Sequence, residues 1–306
     1  MRLAFAGTPA FAATILRGLL GSDHEVGLVI SQPDRPRGRG RKLVTTPVAE
    51  LAHVTKLPLR QPTRIGEVAG EISALDALVV AAYGQILGPD TLYAASKGAW
   101  NVHASLLPRY RGAAPIERAI MAGEKETGVS IIRMDEGLDT GPVALRVRTP
   151  ISPDMTGGEL TQVLAGLGSK AMVEVMNLLE RDSLTLSEQD DLYATYAAKL
   201  EDEERLIPWD REVEEVHNLV RAFAPHIGAR TFHHEVAGPI KVLHSKIFRK
   251  RFHQQAPGTI LSAKQHILVA CGEGILEITK LQAPGGKAVA ADDFLRGRSL
   301  SGTFTS

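Results

Sequence analysis

Leu3-Ala4-Phe5-Ala6-Gly7-Thr8-Pro9-Ala10-Phe11, at the start of the chain, decides its fold class. Residues 3–6 are apolar without interruption, which predicts a short strand buried on both faces. Thr8-Pro9 then predicts a helix start, because a threonine hydroxyl can accept from free amide groups and proline tolerates the first helical position. Phe11, Ile15 and Leu19 follow at four-residue spacing and mark one face of that helix. Strand, tight turn and helix in this order open an α/β domain.

Further along, the runs 26–30 and 77–82 are continuous rather than alternating, as parallel strands covered by helices require. The first half is therefore expected to be a doubly wound α/β sheet. Residues 129–134 and 143–147 are further strand candidates. A long helix is predicted over 156–181, opened by the capping box Thr156-x-x-Glu159, with Leu160, Leu164, Leu167, Ala171, Val175 and Leu178 as its apolar stripe. Residues 187–205 turn polar and acidic and read as an exposed, partly helical connection. Beyond a helical segment at 213–223, short apolar stretches at 240–243, 258–261, 267–270 and 275–281 predict a small β-barrel or sandwich.

The chain has 306 residues, which suits two domains at about 150 residues each. With 44% hydrophobic and 23% charged residues, collagen-like, coiled-coil and wholly disordered readings are excluded. Cys271 is alone, so neither an internal disulfide nor a cysteine zinc cluster is expected. No stretch approaches the ~20 apolar residues of a membrane span, and a cytoplasmic location without a membrane partner is expected. Acidic and basic residues both total 35, so a polyanionic partner must be sought in local clusters. No obligate protein partner is evident. Gly38-Arg39-Gly40 offers two glycines of a dinucleotide fingerprint, but Leu43 stands at the third position and no P-loop occurs. The adjacent His233 and His234 lack the spacing of a metal-ligand pair, and no metal is expected.

The most informative stretch is Asn101-Val102-His103-Ala104-Ser105-Leu106-Leu107-Pro108-Arg109-Tyr110-Arg111-Gly112. If 100–103 ends a strand, Asn101 and His103 project from one face at a carboxyl end, where open α/β sheets place ligands. A carboxamide beside an imidazole suits acyl transfer: one steadies an oxyanion and the other moves a proton. From this spacing alone, a turn-capping Asn101 and a satisfied, half-buried His103 are the favoured reading.

The longer pattern changes the balance. Asn-x-His, the Ser105-Leu106-Leu107-Pro108-Arg109-Tyr110-Arg111-Gly112 run and Gly137-Leu138-Asp139-Thr140-Gly141 together resemble the folate-dependent formyltransferases. Phe5-Ala6-Gly7-Thr8-Pro9-x-Phe11-Ala12, Gln32-Pro33-Asp34-Arg35-Pro36-x-Gly38-Arg39-Gly40-x-Lys42-Leu43, Val80-Ala81-Ala82-Tyr83-Gly84 and Arg111-Gly112-Ala113-Ala114-Pro115-Ile116 are similar to the branch acting on methionyl-tRNA. The likeness runs through most of the chain and is densest to about residue 150.

The resemblance implies a Rossmann-like formyltransferase domain at 1–187, a linker at 188–205 and an OB-like, tRNA-binding barrel at 206–306. It also implies transfer of the formyl group of 10-formyltetrahydrofolate to the methionine amino group of initiator methionyl-tRNA. The family's catalytic residues fall on Asn101, His103 and Asp139. Asn101 and protonated His103 would stabilise the oxyanion, while Asp139 orients His103 or handles a proton through water. The donor's pterin would lie against Ala82, Tyr83, Gly84 and Ile86 and the chain near Asp135, with Ser105, Leu106, Leu107 and Pro108 shaping the site through the backbone. For residues 79–82 a plain core strand is the ordinary reading. Whether a cis bond precedes Pro108 stays open.

Arg35, Arg37, Arg39, Arg41 and Lys42 place five cations in eight residues, spaced by Pro and Gly. Such a run is ordinarily a soluble surface loop. The family's tRNA-binding insertion matches here, with its important arginine on Arg39. Lys241, Lys246, Arg249, Lys250 and Arg251 form a second cluster without an intervening acid in sequence, a solvated strand face or, with the first cluster, an RNA footprint. Ala224, His226 and Ile227 depart from the Asn and Trp of many relatives, and Pro208 stands where an acid is common. A formyltransferase acting on glycinamide ribonucleotide or a nucleotide sugar is the rival reading, since it would share the catalytic trio. An RNA-binding module with a vestigial α/β domain is the rival outside enzymology.

Overall fold

The computed structural model describes residues 1–306 apart from 38–41, 252, 265, 297 and 299. The chain opens with β1 (Arg2–Gly7), α1 (Ala10–Leu20), β2 (Glu25–Ile30), the antiparallel pair β3 (Arg35–Arg37) and β4 (Lys42–Val44), α2 (Pro47–Thr55) and β5 (Leu59–Arg60). Next come α3 (Ala69–Ile72), β6 (Ala77–Ala81), α4 (Pro89–Leu92), β7 (Ala99–His103), β8 (Arg111–Gly112) and α5 (Pro115–Met121). The strands β9 (Glu126–Arg133) and β10 (Val143–Pro150), the long helix α6 (Gly157–Glu180) and β11 (Tyr196–Ala197) complete this part.

One sheet runs in the order β10-β9-β7-β6-β1-β2-β5. The members from β7 to β5 are parallel, and β9 joins β7 antiparallel. The uninterrupted apolar runs lie where continuous burial demands them, with Leu3 to Ala6 and Ala77 to Val80 all buried. The chain places β2 on one side of β1 and β6 on the other. The loops following β1 and β6 thus flank a crevice of the kind that binds ligands in open α/β sheets.

The start of α1 differs from its prediction. Pro9 occupies the cap position without a side-chain cap, and the Thr8 hydroxyl donates to the Tyr83 carbonyl at 2.9 Å. The hydroxyl is used on the neighbouring loop, just past the end of β6, rather than on the helix it precedes. The capping box of α6 forms as predicted: Glu159 N–H donates to the Thr156 hydroxyl at 3.2 Å, and Thr156 N–H to the Glu159 carboxylate at 2.9 Å.

After α7 (Val213–Phe223) come β12 (Ala229–His233), β13 (Val236–Arg249), β14 (Ile260–Ala263), β15 (Ile267–Ala270), β16 (Ile275–Gln282), β17 (Ala288–Ala290) and α8 (Ala291–Leu295). Their antiparallel sheet has the order β12-β13-β16-β15-β14, with β17 on β16. Residues 303–305 join its two edges: Thr303 bridges Thr259 beside β14, and Thr305 bridges Phe232 in β12. The sheet therefore closes into a barrel in which the outer edges of β12 and β14 are covered.

Phe304 points into the barrel between these bridges, 1% exposed and stacked on Trp209 at 5.9 Å between ring centroids. Phe304→Ala should destabilise the protein by about 3–5 kcal/mol, as for other buried aromatics cut to alanine. Denaturant unfolding measures this, and a loss under about 1 kcal/mol would mean that the closing segment is dispensable.

Cα packing divides the chain into two compact units: 1–112, 127–149 and 161–197 form the first, and 113–126, 150–160 and 198–306 the second. This differs from a division at 187 and 206, because two internal segments pack with the C-terminal residues. Within the second unit Gly158 N–H donates to the Ala224 carbonyl at 3.0 Å, and the buried Arg221 donates to the Met155 carbonyl at 3.0 Å.

Candidate active site

Asn101 and His103 lie two apart on β7, so both side chains leave the same face of the sheet, while Val102 between them is buried on the other. The His103 ring is nearly buried and held at both nitrogens. Nε2 lies 2.8 Å from the Tyr110 carbonyl, to which it can only donate, and Nδ1 lies 3.5 Å from Asp139 Oδ2. Asp139 Oδ2 also accepts the Gly112 N–H at 2.8 Å, and Oδ1 faces Asn101 Nδ2 at 3.4 Å. One carboxylate thus joins the carboxamide, the imidazole and a backbone amide.

Asp139 reaches this point from a tight loop and has left-handed backbone with φ 54°. Aspartate tolerates that region better than most residues. Asp135 shapes the same loop, its Oδ1 accepting from Gly137 N–H at 3.1 Å and from the Thr140 hydroxyl at 2.6 Å. The Asp135 side chain is thereby engaged in the loop's own structure.

The Ser105 to Pro108 stretch is fixed from beneath. Ser105 is buried, its hydroxyl donates to the Arg109 carbonyl at 2.5 Å, and its own carbonyl accepts from Ser130 Oγ at 2.7 Å. Leu107 is buried, its N–H donates to Ser130 Oγ, its carbonyl accepts from Arg146, and the Leu107–Pro108 peptide is cis. Leu106 is half-buried.

After β6 the chain turns at Ala82 (φ 44°) and Gly84 (φ 91°), both exposed, and a Cβ added at Gly84 would meet nothing within 4 Å. Tyr83 between them turns into the core. Its hydroxyl has no hydrogen-bond partner among the described residues, and burial pushes its pKa up to about 12. Only the backbone of Tyr83 is left to meet a ligand. Ile86 is 94% exposed, an unusual position for so large an apolar side chain.

Of the first cationic cluster, Arg35 is exposed on β3, Arg37 and Lys42 lie on β3 and β4, and Arg39 and Arg41 fall outside the described residues. In the second cluster, Lys241 is half-buried and Lys246 and Arg249 are exposed on β13. Lys250 has an acidic neighbour after all, since Glu214 of α7 pairs with it at 2.9 Å. That acid lies far off in sequence and is brought up by folding. Arg111, by way of Gln189, and Gly112, Tyr110 and Gln189, directly, also support the trio or its loop. The Arg111-Gly112 motif hinted at the first two, but nothing in the polar stretch around Gln189 did so.

The described residues contain no His, Cys, Asp and Glu group arranged to hold a metal ion, and no helix long and apolar enough to cross a membrane. The Formyl transferase family matches residues 1–176, and the Formyl transferase, C-terminal domain family matches 199–299. A methionyl-tRNA formyltransferase of Rubrobacter xylanophilus is 61% identical over 99% of this chain and 99% of its own length. One of Marinobacter nauticus is 46% identical, covering 97% of this chain and 96% of its own. Among solved structures, an N-formyltransferase of Helicobacter canadensis, determined with folinic acid and dTDP-3-aminofucose, superposes with a TM-score of 0.67. It is 17% identical and covers 90% of this chain and 98% of its own, a likeness of fold. The chain belongs to the formyltransferase family and, within it, to the enzymes that formylate methionyl-tRNA.

Proposed function

We propose that Asn101, His103 and Asp139 carry the transfer of a formyl group from 10-formyltetrahydrofolate to the methionine amino group of initiator methionyl-tRNA, by direct attack of the amine. The observation that carries this reading is the shared carboxylate. Asp139 faces His103 Nδ1 and Asn101 Nδ2 while the Gly112 amide holds it in place.

The residues present fit a flat heterocyclic donor: exposed backbone turns at Ala82 and Gly84, open space over Gly84 and the solvent-facing Ile86 offer polar edges beside an apolar surface. Bound there, the donor supplies a formyl group attached to nitrogen. Asn101 Nδ2 and His103 Nδ1 then donate to the oxygen on which charge develops. Nδ1 is the nitrogen that serves here, because Nε2 is engaged by Tyr110 at 2.8 Å while the Nδ1 contact with Asp139 is the longer one, 3.5 Å. Asp139 holds the imidazole and moves the proton that leaves the amine towards the nitrogen that departs, directly or through water. A neutral amine is nucleophile enough that no covalent enzyme intermediate is needed.

The cations at 35–42 and, separately, Lys241, Lys246, Arg249 and Lys250 of the second unit are assigned contacts with tRNA phosphates. Arg39→Ala should raise the apparent KM for methionyl-tRNA, lower the salt slope by about one unit and leave folate binding intact. The check is steady-state formylation across a salt series, with folate affinity measured separately. Assays with glycinamide ribonucleotide and an aminosugar nucleotide run alongside. Unchanged tRNA kinetics in Arg39→Ala, or faster turnover of either small substrate, would refute the reading.

A further inference from the structure

The stretch that reads in sequence as an exposed connection begins inside the first unit, against the Asp139 loop. Gln189 Nε2 donates to the carbonyls of Asp139 and Gly141, both at 2.7 Å. Its Oε1 accepts from Arg111 Nε at 3.2 Å and Nη2 at 3.0 Å. The carboxamide cannot be reversed, since its oxygen would then face two carbonyls and its nitrogen a guanidinium. Arg111 is 2% exposed and donates again to Asp191 at 2.7 Å. The main chain fixes the same junction: Arg111 N–H donates to the Thr195 carbonyl at 2.8 Å, and β11 pairs in parallel with β8.

We infer that Gln189 is a positioning residue of formyl transfer, clamping the left-handed turn that aims Asp139 at His103, with Arg111 holding the clamp. This rests on the catalytic reading of Asp139 above. An αL aspartate on a loop has no ladder to hold its direction. Gln189 spends both its amide protons on that loop, one of them on the carbonyl of Asp139 itself. A carboxylate displaced by about 1 Å loses its alignment with Nδ1, and misplacement of that size costs on the order of 10²-fold in rate.

The test compares Gln189→Glu with Gln189→Ala, alone and in an Asp139→Asn background. Gln189→Ala also strips the buried Arg111 of an acceptor and loses stability for that reason, so Gln189→Glu carries the argument. Its carboxylate keeps, and strengthens, the pairing with Arg111 but sets lone pairs against the Asp139 and Gly141 carbonyls. The expected result for Gln189→Glu is a fall in kcat of roughly 10- to 100-fold, with KM for methionyl-tRNA little changed and the melting temperature lowered less than in Gln189→Ala. The pH profile of kcat changes in the direction seen for Asp139→Asn, and the loss largely disappears when Asp139→Asn is already present.

Wild-type turnover in Gln189→Glu would mean that Gln189 merely anchors Arg111, and would overturn the inference. So would a loss that multiplies fully with that of Asp139→Asn. Full activity of Asp139→Asn alone would instead remove Asp139 from the reaction, a failure of the catalytic reading distinguishable from the other two.

Discussion

Asn101→Ala should lower formylation turnover by roughly 10²-fold or more while leaving methionyl-tRNA affinity nearly unchanged, the usual result of deleting one oxyanion donor. The geometry separates this from a structural effect. The Asn101 contact with Asp139 is long, 3.4 Å, so its loss costs at most about 1 kcal/mol of stability. A donor aimed at developing charge is worth about 2.7–4 kcal/mol in the transition state. The catalytic loss should therefore exceed the folding loss by a wide margin. His103→Ala should match it in rate but also remove the buried hydrogen bond from Nε2 to the Tyr110 carbonyl, with a larger drop in stability. Single-turnover formylation alongside denaturant unfolding measures both quantities. Near wild-type turnover at either position would remove that residue from the reaction.

Gly141→Ala is expected to be damaging although Gly141 is not among the proposed catalytic residues. A Cβ there would stand 1.9 Å from the Arg133 carbonyl oxygen, 3.0 Å from its carbon and 3.4 Å from the Asp135 nitrogen. All three are main-chain atoms, so no side chain can rotate away. Either the end of β9 or the loop carrying Asp139 must move. Overpacking of this kind costs about 1–3 kcal/mol. Because the displaced loop carries Asp139, turnover should fall by about 10²-fold as well. Denaturation and kinetics on the same preparation test the coupling. A destabilised protein with unimpaired turnover would mean that the strain is taken up by β9 and that the loop stays in register.

The parallel core was legible because buried strands leave continuous apolar runs: residues 26–30 and 77–82 correspond to Glu25–Ile30 and Ala77–Ala81. The helix over residues 213–223 and the strand over 267–270 carry equally local signals. Asn101 and His103 could be placed together from strand periodicity, but that Asp139 joins them, 38 residues from Asn101, came only from resemblance. Contacts between distant polar residues leave no periodic trace. Thr8 reads as a cap because cap and loop anchor use the same hydroxyl, and only tertiary structure decides between them. Lys250 reads as part of an unopposed cluster because Glu214 is 36 residues away in sequence. Gln189 sits in a stretch whose polarity suggests solvent, although its amide protons are donated to main chain 50 and 48 residues away.

The make-up of the second unit bears on any attempt to build hybrids of this enzyme. The two family matches, 1–176 and 199–299, suggest parts joined in series and exchangeable at one recombination point in the polar stretch between them. A graft cut there would leave behind α5, whose Arg118 is bidentate to Glu204 and whose Met121 packs on the barrel core. It would also leave behind residues 150–160, which supply the carbonyls that satisfy the buried Arg221 and His217. His217 would keep Ser245 and Arg221 would keep Asn218, but each would lose its native carbonyl partners, at a cost of about 1–3 kcal/mol for each. The heritable unit of exchange is thus three separate stretches of gene, and parental sequences that differ at 113–126 or 150–160 should recombine poorly even when their barrels are alike.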